Sequence, residues 1–155
     1  MLKIKKLSNI SYKSCFNIVS ESNNYFIDLG WSINQFKNQL LNKNNLGLGL
    51  FEEDSMCGFI LGQIITIEKI LEYEILLIYV KKDKRKLGYA SKLLNEIPII
   101  LQKKDLKKIY LEVASNNLTA INLYKKNKYK KKGSREKYYL INDEKIDELF
   151  FEKII

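Results

Sequence analysis

Residues 73–80, Tyr-Glu-Ile-Leu-Leu-Ile-Tyr-Val, restrict this chain more than any other stretch. A short run so rich in aliphatic and aromatic side chains predicts a strand buried on both faces. A basic loop, residues 81–87, follows at once. A helical pattern then opens at Gly88, with Ala90, Leu93, Leu94, Ile97 and Leu101 at helical spacing. Pro98 falls inside that pattern and is expected to kink or shorten the helix, at roughly 3 kcal/mol against an uninterrupted one.

The flanking segments extend this strand–helix unit into one domain over residues 1–155. Residues 2–7 alternate as a short strand, and Ser11 to Ser20 reads as a helix with Phe16 and Val19 facing inward. Ser32 with Gln35 forms a capping-box pattern ahead of a helix carrying Ile33, Phe36, Leu40 and Leu41. Residues 46–53 and 56–67 predict a hairpin around Glu53-Asp54-Ser55. Residues 108–114 predict a strand, 117–127 a helix, and 129–140 with 145–154 a final pair of strands. The order is α/β-like at its centre and antiparallel at both ends.

Several chemistries are excluded. The chain has no His, which removes imidazole bases and most zinc sites. Cys15 and Cys57 are its only cysteines, too few for a disulfide framework or a thiolate metal cluster. No run approaches the roughly 18 apolar residues of a membrane span, and the first residues lack the apolar core of a signal peptide. A general base must therefore be a carboxylate, a Lys, a Tyr or water. Residues 81–137 hold 18 Lys/Arg against 5 Asp/Glu, and the remainder holds 9 against 13. A basic half fits a polyanionic partner such as nucleic acid or a phosphate-bearing cofactor. It equally fits a Lys-rich composition in which only Arg85 and Arg135 are Arg.

Three segments can carry chemistry. In Lys81–Ala90, Gly88 and Ala90 sit in the first turn of a helix, where small residues and free N–H groups suit an anion, with Arg85 beside them; the segment also reads as an ordinary strand–helix turn. Glu112 interrupts the apolar strand Ile109–Ala114, so its carboxylate must face a cleft or water. Near apolar walls its pKa would rise toward that of a general base. Asn117 reads as a helix N-cap. Tyr124 belongs either to the core stripe of that helix or, by its hydroxyl, to a cleft beside Glu112.

Taken jointly, these segments resemble the GCN5-related N-acetyltransferase (GNAT) superfamily, and within it the RimI-type ribosomal-protein-alanine N-acetyltransferases. Arg85-Lys86-Leu87-Gly88-Tyr89-Ala90 is similar to that family's R/Q-x-x-G-x-G/A loop, preceded by Ile78-Tyr79-Val80. Leu111–Asn117 with Ala120–Tyr124 resembles its catalytic segment, and Arg135-Glu136-Lys137-Tyr138-Tyr139 its R-x-x-Y-Y stretch; Trp31-Ser32 also fits. Lys128 stands where the family usually has Gly, and Ala114 where the RimI type often has Arg.

The resemblance implies a single-domain fold with a splayed, mixed central sheet flanked by helices. It implies acetyl-CoA as acetyl donor and no metal. The cofactor would lie against Ile78, Tyr79 and Val80, against the loop residues Arg85, Lys86, Leu87, Gly88, Tyr89, Ala90 and Ser91, and against Asn117. Glu112 would act as base and Tyr124 as acid toward the CoA thiolate. The implied reaction is acetylation of a protein N-terminal α-amine, most specifically the N-terminal alanine of a small-subunit ribosomal protein. The enzyme is expected to be a cytoplasmic monomer with no membrane partner, meeting nucleic acid only through the ribosome. Another N-terminus, a lysine or a small amine is the alternative acceptor, and a non-catalytic RNA- or ribosome-binding module the alternative of another kind. Trp31, Tyr138 and Tyr139 would border the acceptor. Glu52, Glu53, Asp54, Glu68, Glu72 and Glu74 are expected to form one acidic mouth there, favouring peptides with a small first residue and basic residues close behind.

Overall fold

The computed structural model describes residues 1–155. Seven strands form one mixed sheet in the order β1-β2-β3-β4-β5-β7-β6: β1 Leu2–Lys6, β2 Asn45–Glu52, β3 Ser55–Ile67, β4 Ile70–Val80, β5 Leu106–Ala114, β6 Lys130–Ile141 and β7 Glu144–Ile154. Helices α1 Tyr12–Val19, α2 Tyr25–Asp28, α3 Ile33–Leu41, α4 Tyr89–Leu101 and α5 Leu118–Lys126 complete the chain. Only β4 and β5 run parallel, as expected of two strands joined through a helix.

Each face of the sheet carries a core. Leu93, Leu94, Ile97 and Leu101 of α4, with Ile121 and Tyr124 of α5, pack on one face against Leu48, Tyr73, Ile109, Leu111 and Phe151. On the other, Cys15 and Val19 of α1 and Phe36 and Leu40 of α3 pack against Phe59, Leu61 and Tyr79. The helices of this second core lie over the β2–β4 side.

Where β4 and β5 part company is the decisive detail. Their parallel register runs from Leu71↔Leu106 to Ile75↔Leu111 and stops there. At the same point the β3–β4 register slips, Gly62 pairing Ile75 and Leu61 pairing Leu77, so that Leu76 is an extra residue in β4. A bulge of this kind bends its strand and exchanges its faces. Before it, Tyr73 and Ile75 face the α4/α5 core; after it, Leu77 and Tyr79 face the α1/α3 core. The upper half of β4 thus turns away from β5 and opens a wedge.

Several expectations are corrected. β4 is not buried on both faces: Glu74, Leu76, Leu77 and Ile78 are half-buried, because the wedge leaves one side uncovered. β4 also begins at Ile70, closed to β3 by Glu68-Lys69, both with positive φ. Pro98 does not shorten α4, which continues to Leu101; burial of Ile97 and Leu101 holds the last turn in place. Ser32 caps α3 by accepting from the Gln35 N–H at 3.1 Å, but the reciprocal arm of a capping box is not made. Ile33 and Leu41 face outward, and Gln39 takes the inward position instead.

Candidate active site

The wedge has two walls. On the β4 side the chain leaves Val80, passes through Lys81–Arg85 and enters α4. Lys86 and Gly88 have φ of 63° and 79°, two left-handed residues within three positions. Such a path turns successive N–H groups toward one concavity. The N–H groups of Lys86, Leu87, Gly88, Tyr89, Ala90 and Ser91 find no acceptor in the chain. They lie at the positive end of the α4 dipole. A Cβ built on Gly88 would meet nothing within 4 Å, so the space before these donors is open. The cradle fits a pyrophosphate. Around it, Arg85 is anchored rather than free: its Nε donates to the Val80 carbonyl at 3.0 Å, and its guanidinium lies 5.3 Å from the Tyr79 ring centroid. Ser91 accepts from the Asn127 amide at 2.9 Å, fastening the start of α4 to the end of α5. Leu87 is exposed, and Tyr89 and Ala90 are half-buried.

Sequence reasoning missed Glu21, in the turn after α1. It accepts from the Tyr79 hydroxyl at 2.6 Å and the Lys82 N–H at 2.7 Å, which ties the α1 side to the end of β4. Burial opposes the charge of Glu21, but these donors and the nearby Arg85 outweigh it and hold its pKa below the ordinary value. No local pattern marks this residue, because its partners are about sixty positions away.

On the β5 side, Glu112 is the first residue beyond the last β4–β5 pair. Register places Glu74, Tyr110, Glu112, Phe150, Glu148 and Arg135 on one face of the sheet. Glu112 is open to solvent, yet partial burial, then the neighbouring Glu148 carboxyl, then Glu74, push its pKa up to about 7, against a smaller opposing pull from Arg135. Glu148 was not singled out in the sequence. It is fully buried, accepts from the Tyr139 hydroxyl at 3.1 Å, and its Oε2 has no hydrogen-bond donor. Arg135 reaches that oxygen only at 3.6 Å.

Asn117 caps α5, its side chain accepting from the Ala120 N–H at 3.2 Å. Tyr124 is buried beside Tyr129 and Phe151, at 5.8 and 6.3 Å between ring centroids. It makes no hydrogen bond to Glu112, and burial raises its phenol pKa well above 10. Tyr138 stands on a bulge of β6, where Glu136, Lys137 and Tyr138 are looped out opposite Asp147, and Tyr139 resumes the pairing opposite Ile146. Trp31 packs against Phe36 at 5.0 Å, in the α1/α3 core.

The acidic segment does not form one mouth. Glu53 and Asp54 occupy the β2–β3 turn, with Glu52 beside it held by Lys84 and Tyr89, while Glu68 lies in the β3–β4 turn at the other end of β3. Glu72 and Glu74 share the face of Glu112, with Gln63 donating to Glu74 at 2.7 Å and Lys108 3.3 Å from Glu72. Hairpin turns carry neighbours in sequence to opposite ends of the sheet.

A sequence profile of the acetyltransferase (GNAT) family matches residues 11–129, which include both walls of the wedge. The chain belongs to the GNAT acetyltransferase family. The GNAT fold is equally plain in solved structures. Arabidopsis thaliana NAA60 in complex with a bisubstrate analogue superposes with a TM-score of 0.84 at 19% identity, over 100% of this chain and 98% of that one. The ribosomal-protein-S18-alanine N-acetyltransferase from Escherichia coli gives 0.80 at 22%, over 100% and 94%. The PaiA N-acetyltransferase from Thermoplasma acidophilum, in complex with coenzyme A, gives 0.80 at 23%, over 100% and 99%. No curated protein sequence matches this GNAT chain.

Proposed function

We propose that this GNAT enzyme transfers the acetyl group of acetyl-CoA to the N-terminal α-amine of a protein, acting as a cytoplasmic monomer on the N-terminal alanine of a small-subunit ribosomal protein. The observation that carries the reading is the wedge itself, with free donors of Lys86–Ser91 on one wall and Glu112 on the other. Acetyl-CoA supplies a thioester-activated acyl group. The Lys86–Ser91 amides hold its phosphates, and the freed edge of Ile78–Val80 and the Asn117 amide nitrogen line the way from there to Glu112.

Glu112 removes the proton that keeps the acceptor amine unreactive. A protein α-ammonium has a pKa near 7.7–8.0, so transfer to a carboxylate at about 7 costs ~1.4 kcal/mol. An ordinary carboxylate near 4.3 would face about 5 kcal/mol, and a lysine acceptor near 10.4 would face about as much even with this raised base. The site therefore suits an α-amine over a lysine. Tyr124 keeps its proton at neutral pH because burial disfavours the phenolate, and it can donate to a leaving group. Tyr138 is exposed and Tyr139 half-buried, at the rim of the same face. The likeness to the ribosomal-protein-S18-alanine N-acetyltransferase from Escherichia coli supports this choice of acceptor.

Acetyl-CoA turnover with a panel of unblocked peptides, matched peptides with a blocked N-terminus and one internal Lys, and small amines tests the proposal. Turnover confined to free N-termini, highest on Ala-initiated ribosomal-protein sequences, is expected. Faster acetylation of the blocked Lys peptides would refute it.

A further inference from the structure

We propose that Glu148 is a positioning residue that forms with Glu112 a carboxyl pair holding a single proton on the acceptor face of the wedge, and that this pair determines the pH range in which the enzyme accepts an amine. The inference rests on Glu112 being the base.

Buried polar atoms in proteins almost always find partners, and an exception asks for an explanation. Glu148 is fully buried, and its Oε1 is served by Tyr139 while Oε2 has no donor. The obvious structural partner does not fit. Arg135 approaches Oε2 through one nitrogen at 3.6 Å, longer than a hydrogen bond, and its guanidinium stacks 4.5 Å over Tyr138 while remaining half exposed. The group beside Glu148 on this face is Glu112, its diagonal neighbour across the β5–β7 ladder and itself a carboxyl, and the two interact strongly enough to raise the proton affinity of Glu112. Two carboxylates so placed repel. One proton between them turns the repulsion into a hydrogen bond and serves the orphaned oxygen.

The other groups facing Glu112 do not supply this. From β4, Glu74 is already engaged by Gln63. On β5 itself Tyr110 is a phenol whose pKa is raised to about 12, so it stays neutral. From β6, Tyr139 is committed to Glu148, and Arg135 acts in the opposite direction. Glu148, from β7, is the only one of these that both raises the proton affinity of Glu112 and can accept its hydrogen bond.

Acetylation of an ammonium by a thioester yields an amide, a thiol and one proton. The ionised pair accepts that proton from R–NH₃⁺ at Glu112, leaving R–NH₂ with a free electron pair. Glu112–H donates to Glu148 until the proton passes to water at the open side of the cleft. Above the pair's titration the site is a base matched to an α-amine. Below it the proton is retained and the amine stays charged.

Glu148→Gln preserves size and the contact with Tyr139 but removes the second carboxyl. The readouts are the pH profile of kcat/KM on the best peptide acceptor and the ¹³C titration of the Glu112 carboxyl in the unliganded protein. In the wild type both midpoints are expected near pH 7. In Glu148→Gln both should fall by at least one pH unit, with a several-fold loss of kcat on the plateau because the base is weaker. Arg135→Gln removes the opposing cation and should move both midpoints upward, which keeps the test decisive if Glu148→Gln fails to fold. Unchanged midpoints in the folded variants overturn the pair. If Glu112→Gln retains wild-type turnover, the base assignment is wrong. If Glu112→Gln is inactive while Glu148→Gln and Arg135→Gln leave the midpoints in place, the base stands and the pair alone is refuted.

Discussion

Gly88 offers a way to separate charge from shape in the proposed phosphate cradle. Its φ of 79° is left-handed, where Ala pays about 1–2 kcal/mol and Asn or Asp rather less. Because a Cβ there meets nothing within 4 Å, no steric clash adds to that cost in the free protein. Gly88→Asn and Gly88→Asp should therefore fold alike, each losing about 1 kcal/mol. They differ in one negative charge at the positive end of α4. At an effective dielectric of 20, a carboxylate ~6 Å from one phosphate charge is repelled by ~3 kcal/mol. Lys82, Lys84, Arg85 and Lys86 lie in the loop that leads into α4, and together with salt they screen part of this. A residue of about 1.5–2 kcal/mol leaves a 10- to 30-fold difference in acetyl-CoA affinity between Asp and Asn. Titration calorimetry in low salt measures it, and the gap should narrow in 0.5 M salt. Equal affinities for the two variants, or wild-type affinity in both, would refute the placement of the phosphates at this helix terminus.

Other substitutions test other parts of the reading. Glu112→Gln should lower turnover by 10²- to 10⁴-fold near neutral pH, with little change in acetyl-CoA affinity. The same residue gives a stability signature: the folded state keeps a proton that the unfolded chain releases, so stability falls as pH rises from the ordinary carboxylate range through about 7. Solvent screening of this exposed group limits the loss to about 1 kcal/mol, and denaturant titrations of Glu112→Gln should lack it. Lys128 has φ of 70° where the family usually carries Gly, so Lys128→Gly should stabilise the fold by about 0.5–1 kcal/mol, read from the denaturation midpoint. Gly62 lies opposite the Leu76 bulge, and a Cβ there would collide with the Tyr73 ring and the Glu74 carbonyl; Gly62→Ala should cost about 3 kcal/mol or more and weaken acetyl-CoA binding by distorting the wedge.

The strand–loop–helix unit was legible because its signals are local: an apolar run, a Gly at a positive φ, and a helical stripe. Glu112 was legible as a charge where an apolar strand should continue. The bulge was not, since Ile75-Leu76-Leu77-Ile78 are all apolar and none marks itself as the extra residue. The β3–β4 turn was hidden because Glu68-Lys69 adopt positive φ without Gly or Asn. Glu148 was hidden for a further reason. Asp147 and Glu148 look alike in sequence, and only β5 and β6 closing around β7 decide that Glu148 is buried and on the same face as Glu112. Pro98 was over-read, because local propensity yields to the tertiary anchoring of Ile97 and Leu101.

The strand order leaves β1 and β6 as the two rims of the sheet, each with one side of its backbone unpaired. Such rims invite a second chain to add a strand, and so on without limit. Lys3, Lys5 and Lys6 stand along one rim, and Lys130, Lys131, Lys132 and Lys137 along the other, all of them exposed. Part of the basic character that the composition assigns to a polyanionic partner thus has a second office, to keep copies of the chain from stacking rim to rim. Replacing Lys130, Lys131 and Lys132 with Thr would leave the wedge untouched and give a flat, uncharged border, and light scattering should then report growth of the particles with concentration.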